Sequence, residues 1–224
     1  MRLVLFDCDG TLVDSQVMIV SSMTRAFESA GLAAPPREEI LSIVGLSLPI
    51  AIARLAGHRP GASVETLVEA YKASFADLRN STLHREPLYP GARETVEALA
   101  GRPDTLLGIV TGKSRRGVDA ILAHTGLGDA FAVVRTADDA PSKPHPGMVL
   151  DAIAAVGADA RRTVVIGDTT YDVEMALAAG TRAVGVTWGY HHRADLAAAG
   201  ADRIVERFDE VAIAVDDLIG PGET

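Results

Sequence analysis

The chain has 224 residues, with 30 acidic side chains against 21 basic ones and a formal net charge of −9. That balance argues against sequence-independent nucleic-acid binding, which needs clustered Lys and Arg. It leaves room for a small anionic substrate, because a lysine, a helix N-terminus or a metal ion can supply local positive charge. Apolar residues make up 48% and aromatic residues only 4%, so Ala, Val, Leu and Ile form most of the core; the length suits one core domain with a sizeable insertion.

In chain order, Leu3–Phe6 comes first, an apolar run that stops at Asp7. It is expected to be a buried strand, being too short for a signal peptide and lacking a cleavage site. Cys8 is the single cysteine, which excludes an internal disulfide and suggests a reducing, cytoplasmic setting. From Ser15 to about Arg85 the pattern is helical throughout. Val20, Met23, Phe27 and Ala30 share one face; Ile50, Ala53 and Arg54 follow a turn at 45–49; Val64, Leu67, Val68 and Tyr71 mark another helix. About seventy residues of helix exceed an ordinary crossover, so this stretch is expected to be a separate cap. The Tyr89-Pro90-Gly91 turn then restores strand signals at Leu106–Val110, Ala132–Val134, Thr163–Ile166 and Ala183–Val186. Helical spacing lies between them, as at Val149, Ile153 and Val156, and again around Met175, Leu177 and Ala178. Short apolar runs alternating with helices predict an α/β fold, with a doubly wound, mostly parallel sheet. The expected core is 1–14 with 86–224, and 15–85 is the helical cap inserted after the first strand. No apolar run approaches the length of a membrane span, so no membrane partner is expected.

Acidic or polar residues follow three of these strands directly: Asp7 and Asp9, then Thr111 and Gly112, then Asp168 and Asp172. In an open α/β sheet, such positions converge outside the carboxyl ends of the strands. One aspartate after a strand is ordinarily a turn or helix-cap residue, but four aspartates at strand ends exceed that explanation. Two carboxylates about 4 Å apart repel by roughly 4 kcal/mol at an effective dielectric near 20. A cluster therefore needs a cation, and oxygen-only ligands select a hard one, with magnesium the usual ion beside phosphate. Lys143 can add positive charge. These residues alone do not say which aspartate would attack a substrate.

The run Asp7-Cys8-Asp9-Gly10-Thr11-Leu12-Val13-Asp14-Ser15 resembles the first motif of the haloacid dehalogenase superfamily. Thr111-Gly112, Lys143-Pro144 and Gly167-Asp168-Thr169-Thr170-Tyr171-Asp172 resemble its second, third and fourth motifs, in the right order. The likeness covers nearly the whole chain and is nearest to the phosphoglycolate phosphatase group. It implies a magnesium-dependent phosphatase for a small phosphorylated metabolite. In that reading Asp7 is the nucleophile that becomes an aspartyl phosphate, and Asp9 is the general acid and base. The Asp7 carboxylate, the Asp9 backbone carbonyl and Asp168 hold Mg2+, with Asp172 orienting its waters. Thr111, the Gly112 N–H and Lys143 hold the phosphoryl group. Relatives also suggest a cis peptide before Pro144.

Other features receive plainer readings. Gly108–Ser114 imitates a P-loop but is one residue short of the spacing. Cys8 is expected to be buried and inert, and His191 and His192 solvated. Asp9 weighs against a dehalogenase, whose first motif typically lacks it. A sugar phosphomutase or pyrophosphatase of the same superfamily shares the motifs. A phospho-receiver module is a remote alternative, being shorter and without a cap. Ser47, Arg54 and Lys72 are polar candidates for substrate selection within the cap.

Overall fold

The computed structural model describes residues 1–57, 61, 63–80 and 86–221. The strands are β1 (Arg2–Phe6), β2 (Thr105–Val110), β3 (Phe131–Arg135), β4 (Thr163–Gly167), β5 (Arg182–Val186) and β6 (Arg203–Val205). They form one sheet in the order β3-β2-β1-β4-β5-β6, and every adjacent pair is parallel. The five strands expected from sequence are all present, each within a residue or two of its expected limits. The sixth, β6, is an edge strand of three residues, too short to carry a readable apolar pattern.

The first four helices follow β1 without interruption by strand: α1 (Gln16–Ser29), α2 (Arg37–Ser42), α3 (Leu48–Ala56) and α4 (Val64–Asn80). The remainder alternate with the strands or close the chain. They are α5 (Ala92–Ala100), α6 (Arg115–Thr125), α7 (Gly147–Val156), α8 (Thr170–Ala178), α9 (Arg193–Ala198) and α10 (Val211–Ile219).

Period-2 alternation divides the sheet between two cores. Val4 and Phe6 of β1 join Leu107, Ile109, Val164 and Ile166 on one face, under α5, α6 and α10. Leu3 and Leu5 point to the opposite face, with Val165 and Ala183, and pack on α7 and α8. A third cluster has no sheet residue: Met23, Phe27, Ile40, Ile52, Leu55 and Leu67 bring α1 to α4 around a core of their own. On α1 and α4 the buried stripe includes the expected Met23, Phe27, Leu67 and Val68. On α3 the face is corrected. Ile50 is 43% exposed, and Ala51, Ile52, Leu55 and Ala56 face inward instead. The expected limit between cap and core falls beside residues 81–85, which lie outside the described residues.

Strand order reverses around β1, whose neighbours are β2 and β4. At such a switch point the loops leaving the strands diverge and open a crevice at their carboxyl ends. The loops carrying Asp7, Thr111 and Asp168 are the three that meet there.

Candidate active site

Asp7 follows β1 and is 1% exposed. Its backbone N–H donates to Ile166 O at 2.9 Å, continuing the pairing with β4 and fixing the carboxylate at the sheet edge. Among the described residues, neither carboxyl oxygen has a hydrogen-bond partner beyond the Lys143 ammonium. The nearest cation is Lys143, whose Nζ stands 2.7 Å from Asp7 Oδ1 as an ion pair. The same Nζ donates to Asp172 Oδ1 at 2.6 Å. Burial alone would lower the Lys143 pKa, but Asp172 and Asp7 overcome that and raise it, so the ammonium stays charged. Burial pushes the Asp7 carboxyl up to about 6; Lys143 opposes this, while Asp172 and Asp9 add to it. The Lys143–Pro144 peptide is cis, as expected.

Asp168 is fully buried after β4. Thr11 Oγ1 donates to its Oδ1 at 2.8 Å, and the Tyr190 N–H donates to its Oδ2 at 2.9 Å. Burial raises its pKa well above the usual carboxylate range, with further contributions from Asp172 and Asp7. Two glycines make room for it. A Cβ on Gly10, which adopts φ +87°, would lie 2.3 Å from Asp168 Oδ2, and one on Gly189 would lie 2.2 Å from Asp168 Cβ. Asp172 sits at the third position of α8. It closes a capping box with Thr169, whose N–H and Oγ1 both donate to Asp172 Oδ2.

The carboxylates of Asp7, Asp168 and Asp172 converge, with one oxygen of each within 4.8 Å of the others. Three buried acids facing one another, two of them with raised pKa and one with its Oδ2 left without a hydrogen-bond partner among the described residues, form a donor set suited to a hard divalent cation. The side chain of Asp9 is not part of this triad. It accepts from Lys113 Nζ at 2.8 and 3.1 Å and from Ser15 Oγ. Any share Asp9 has in holding a metal therefore falls to its backbone carbonyl.

Thr111 is buried after β2, where its N–H donates to Arg135 O at 3.0 Å. A Cβ on neighbouring Gly112 would lie 2.4 Å from Gly45 O and 2.8 Å from Leu46 O. The glycine thus lets the loop between α2 and α3 rest directly on the second motif. A cleft of about 580 Å³ opens here, lined by Asp7, Asp9, Thr111 and Gly112 from the sheet side and by side chains of α1, α3 and α4 opposite.

Sequence reading missed Lys113 and Glu86. Lys113 Nζ binds Asp9 and also Glu86 Oε1, at 2.9 Å. Arg79 of α4 binds the other Glu86 oxygen, at 2.9 Å. Burial alone would lower the Lys113 pKa, but Asp9 and Glu86 outweigh it and raise it. The signal was present in Thr111-Gly112-Lys113, but its partners lie 104 and 27 residues away and leave no local trace. His191 is also corrected: it is not a solvated side chain. Its Nδ1 accepts from the Thr170 N–H at 3.1 Å, its Nε2 lies 3.3 Å from Ser42 O, and its ring meets Tyr171 edge-on. Cys8 is buried in the sheet core as expected, and burial raises its thiol pKa. Of the polar cap candidates, Ser47 and Lys72 line the cleft. Arg54 instead donates to Tyr171 Oη at 2.9 Å, which joins α3 to α8.

Residues 4–186 match the family model described as haloacid dehalogenase-like hydrolase. The chain belongs to this family. Along its whole length it is also similar to curated bacterial proteins. It is 39% identical to the protein named "Probable phosphatase IndB" of Dickeya dadantii, over 97% of this chain and 94% of that one. With a phosphoglycolate phosphatase of Haemophilus influenzae it shares 28% identity, over 94% and 96% of the two chains. Among solved structures, a predicted phosphoglycolate phosphatase from Haemophilus somnus superposes with a TM-score of 0.82 at 25% identity, covering 96% of this chain and 97% of that one. Among the described residues, no helix of this hydrolase is long and apolar enough to cross a membrane.

Proposed function

We propose that the chain is a magnesium-dependent phosphatase that hydrolyses a small phosphate monoester through an aspartyl phosphate on Asp7. The observation that carries this reading is the Asp7 carboxylate. It is buried and held beside the Lys143 ammonium at 2.7 Å, its Oδ2 has no hydrogen-bond partner among the described residues, and it lines the cleft. A carboxylate kept from water and held by one ammonium, with its second oxygen left open, suits attack on phosphorus better than it suits a structural role.

Asp7 and Asp168, with the Asp9 carbonyl, would hold Mg2+, and Asp172 would support it from α8. When bound, the ion neutralises charge on the phosphoryl oxygens. Asp7 Oδ forms a bond to phosphorus as the ester P–O bond breaks, and Asp9 gives a proton to the departing alkoxide. Water then attacks the phosphorus of the aspartyl phosphate, Asp9 takes its proton, and the Asp7–phosphorus bond breaks to release inorganic phosphate. Thr111 and the Gly112 N–H hold phosphoryl oxygens, and Lys143 offsets their charge. The Lys113 contact to Asp9 has to give way as the ester seats, so that Asp9 can face the leaving oxygen. We assign residues 15–85 to a cap domain that closes the cleft and selects the leaving group.

The reading is tested with p-nitrophenyl phosphate and magnesium. Turnover that is lost both in excess chelator and in Asp7→Asn supports it. Turnover that survives either change refutes it.

A further inference from the structure

The cleft wall formed by α1, the loop before α3 and α4 is largely apolar, with Ser47, Lys72, Arg79 and Asn80 among its polar residues. Ile19 and Met23 of α1, Val44 and Leu46 of the loop before α3, and Val68 and Phe75 of α4 all line it. Tyr71 stands beside Phe75, their ring centroids 5.7 Å apart and inclined by 34°. The volume of about 580 Å³ falls within the roughly 300–1,000 Å³ of pockets that enclose drug-sized ligands.

Before an ester seats, three cations of the cleft are paired. Lys113 is bound to Asp9 and Glu86, Arg79 to Glu86, and Lys72 to Glu69 at 2.8 Å. Arg116 stands exposed at the rim, where Asp138 also lines the cleft. A second anionic group close to the phosphate, such as the carboxylate of phosphoglycolate or the second phosphate of pyrophosphate, would have to compete with Glu86 for Lys113 and Arg79. An apolar or flat group would cover apolar surface now facing the cleft at Val68 and Tyr71, beside the Phe75 ring, over which Lys113 and Arg79 each stand 5.0 Å from the centroid.

We infer that the leaving group carries an apolar or aromatic body that seats against Val68, Tyr71 and Phe75, and that this enzyme prefers such esters to phosphoglycolate and pyrophosphate. The inference rests on the phosphatase reading above and adds a substrate class to it.

A test uses two esters whose leaving alcohols have nearly the same acidity, ethyl phosphate and 2-phenylethyl phosphate, so that a difference reports on the seat and not on the chemistry. Phosphoglycolate, pyrophosphate and p-nitrophenyl phosphate are run beside them. Seating the phenyl ring is expected to raise kcat/KM by about 10- to 100-fold over ethyl phosphate. The advantage should shrink in Phe75→Ala and shrink less in Phe75→Leu, which keeps apolar volume and a packed α4. A ratio near one, a ratio unchanged in both variants, or a kcat/KM for phosphoglycolate or pyrophosphate above that for 2-phenylethyl phosphate overturns the inference while p-nitrophenyl phosphate turnover leaves the phosphatase reading standing. Absence of phosphate release from every ester overturns both.

Discussion

At the scale of single residues, the site depends on one buried ammonium. Lys143 is 1% exposed and lies between Asp7 and Asp172. Removing one partner of a buried charge pair costs more than the pair contributes, because the remaining charges are left unmatched. Lys143→Met is therefore expected to lower turnover by about 10²–10³-fold, comparable to the loss of an electrostatic contact to a developing charge. Lys143→Arg should not restore it, since a planar guanidinium cannot replace a point charge in a closed space. Steady-state kinetics on both variants check this, and an active Lys143→Arg would contradict it. Gly10 gives a second prediction. Its φ of +87° disfavours a side chain, and a Cβ would press on Asp168 Oδ2. Gly10→Ala should weaken magnesium binding at least as much as it lowers stability, and titration calorimetry beside thermal melting separates the two.

Among the elements, α8 ties the site to the helices above it. Its capping box places Asp172, while Tyr171 donates to Ser42 O at 3.0 Å and accepts from Arg54 of α3. Arg54 does not line the cleft, so Arg54→Ala should change KM for all esters by a similar factor and leave their order intact. Ser47 faces the cleft, so changes there should reorder the substrates. A panel of esters assayed with both variants decides it; reordering by Arg54→Ala would contradict this placement. The elements also show what was legible in the sequence. Aspartates set directly after strands, Asp7 after β1 and Asp168 and Asp172 after β4, announced the acidic cluster, whereas the Asp9 side chain turned out to face Lys113 instead. The face of α3 was misread because Ile50, Ala53 and Arg54 have helical spacing, as do Ala51, Ile52 and Leu55. Periodicity cannot say which stripe faces the neighbouring helix. The Asp9–Lys113–Glu86–Arg79 chain of ion pairs was invisible for a related reason, as it exists only once α4 is folded against β2.

For the whole molecule, three acids share one end of the sheet, and two of them carry raised pKa values. Their mutual repulsion, offset in part by Lys143, is a cost the fold bears without a metal ion. Magnesium should therefore raise the melting temperature: a ligand that binds only the folded state contributes about 2.7 kcal/mol at one hundred times its dissociation constant. Chelator should reverse the shift, and Asp168→Asn should abolish it together with turnover. Differential scanning fluorimetry over a magnesium titration reads this directly, and an unchanged melting temperature in the wild type would contradict it. The doubly wound sheet was legible as a class because its strands are buried on both faces and read as apolar runs. Only the three-residue β6 escaped, since a short edge strand carries too few residues to show a pattern.

In the proposed mechanism Asp7 carries the phosphoryl group between two chemical steps, and the Asp9→Asn variant exposes it. Nitrophenolate leaves without a proton, so p-nitrophenyl phosphate should still transfer its phosphoryl group to Asp7. Hydrolysis then lacks its base, and the aspartyl phosphate should accumulate. Rapid mixing should show a burst of about one nitrophenol per enzyme followed by a slow phase, the kinetic mark of a covalent intermediate. Borohydride reduction of the quenched enzyme, followed by peptide mass spectrometry, should convert residue 7 to homoserine. A burst with homoserine at position 7 is the predicted result. No burst, or reduction at another aspartate, would contradict the account.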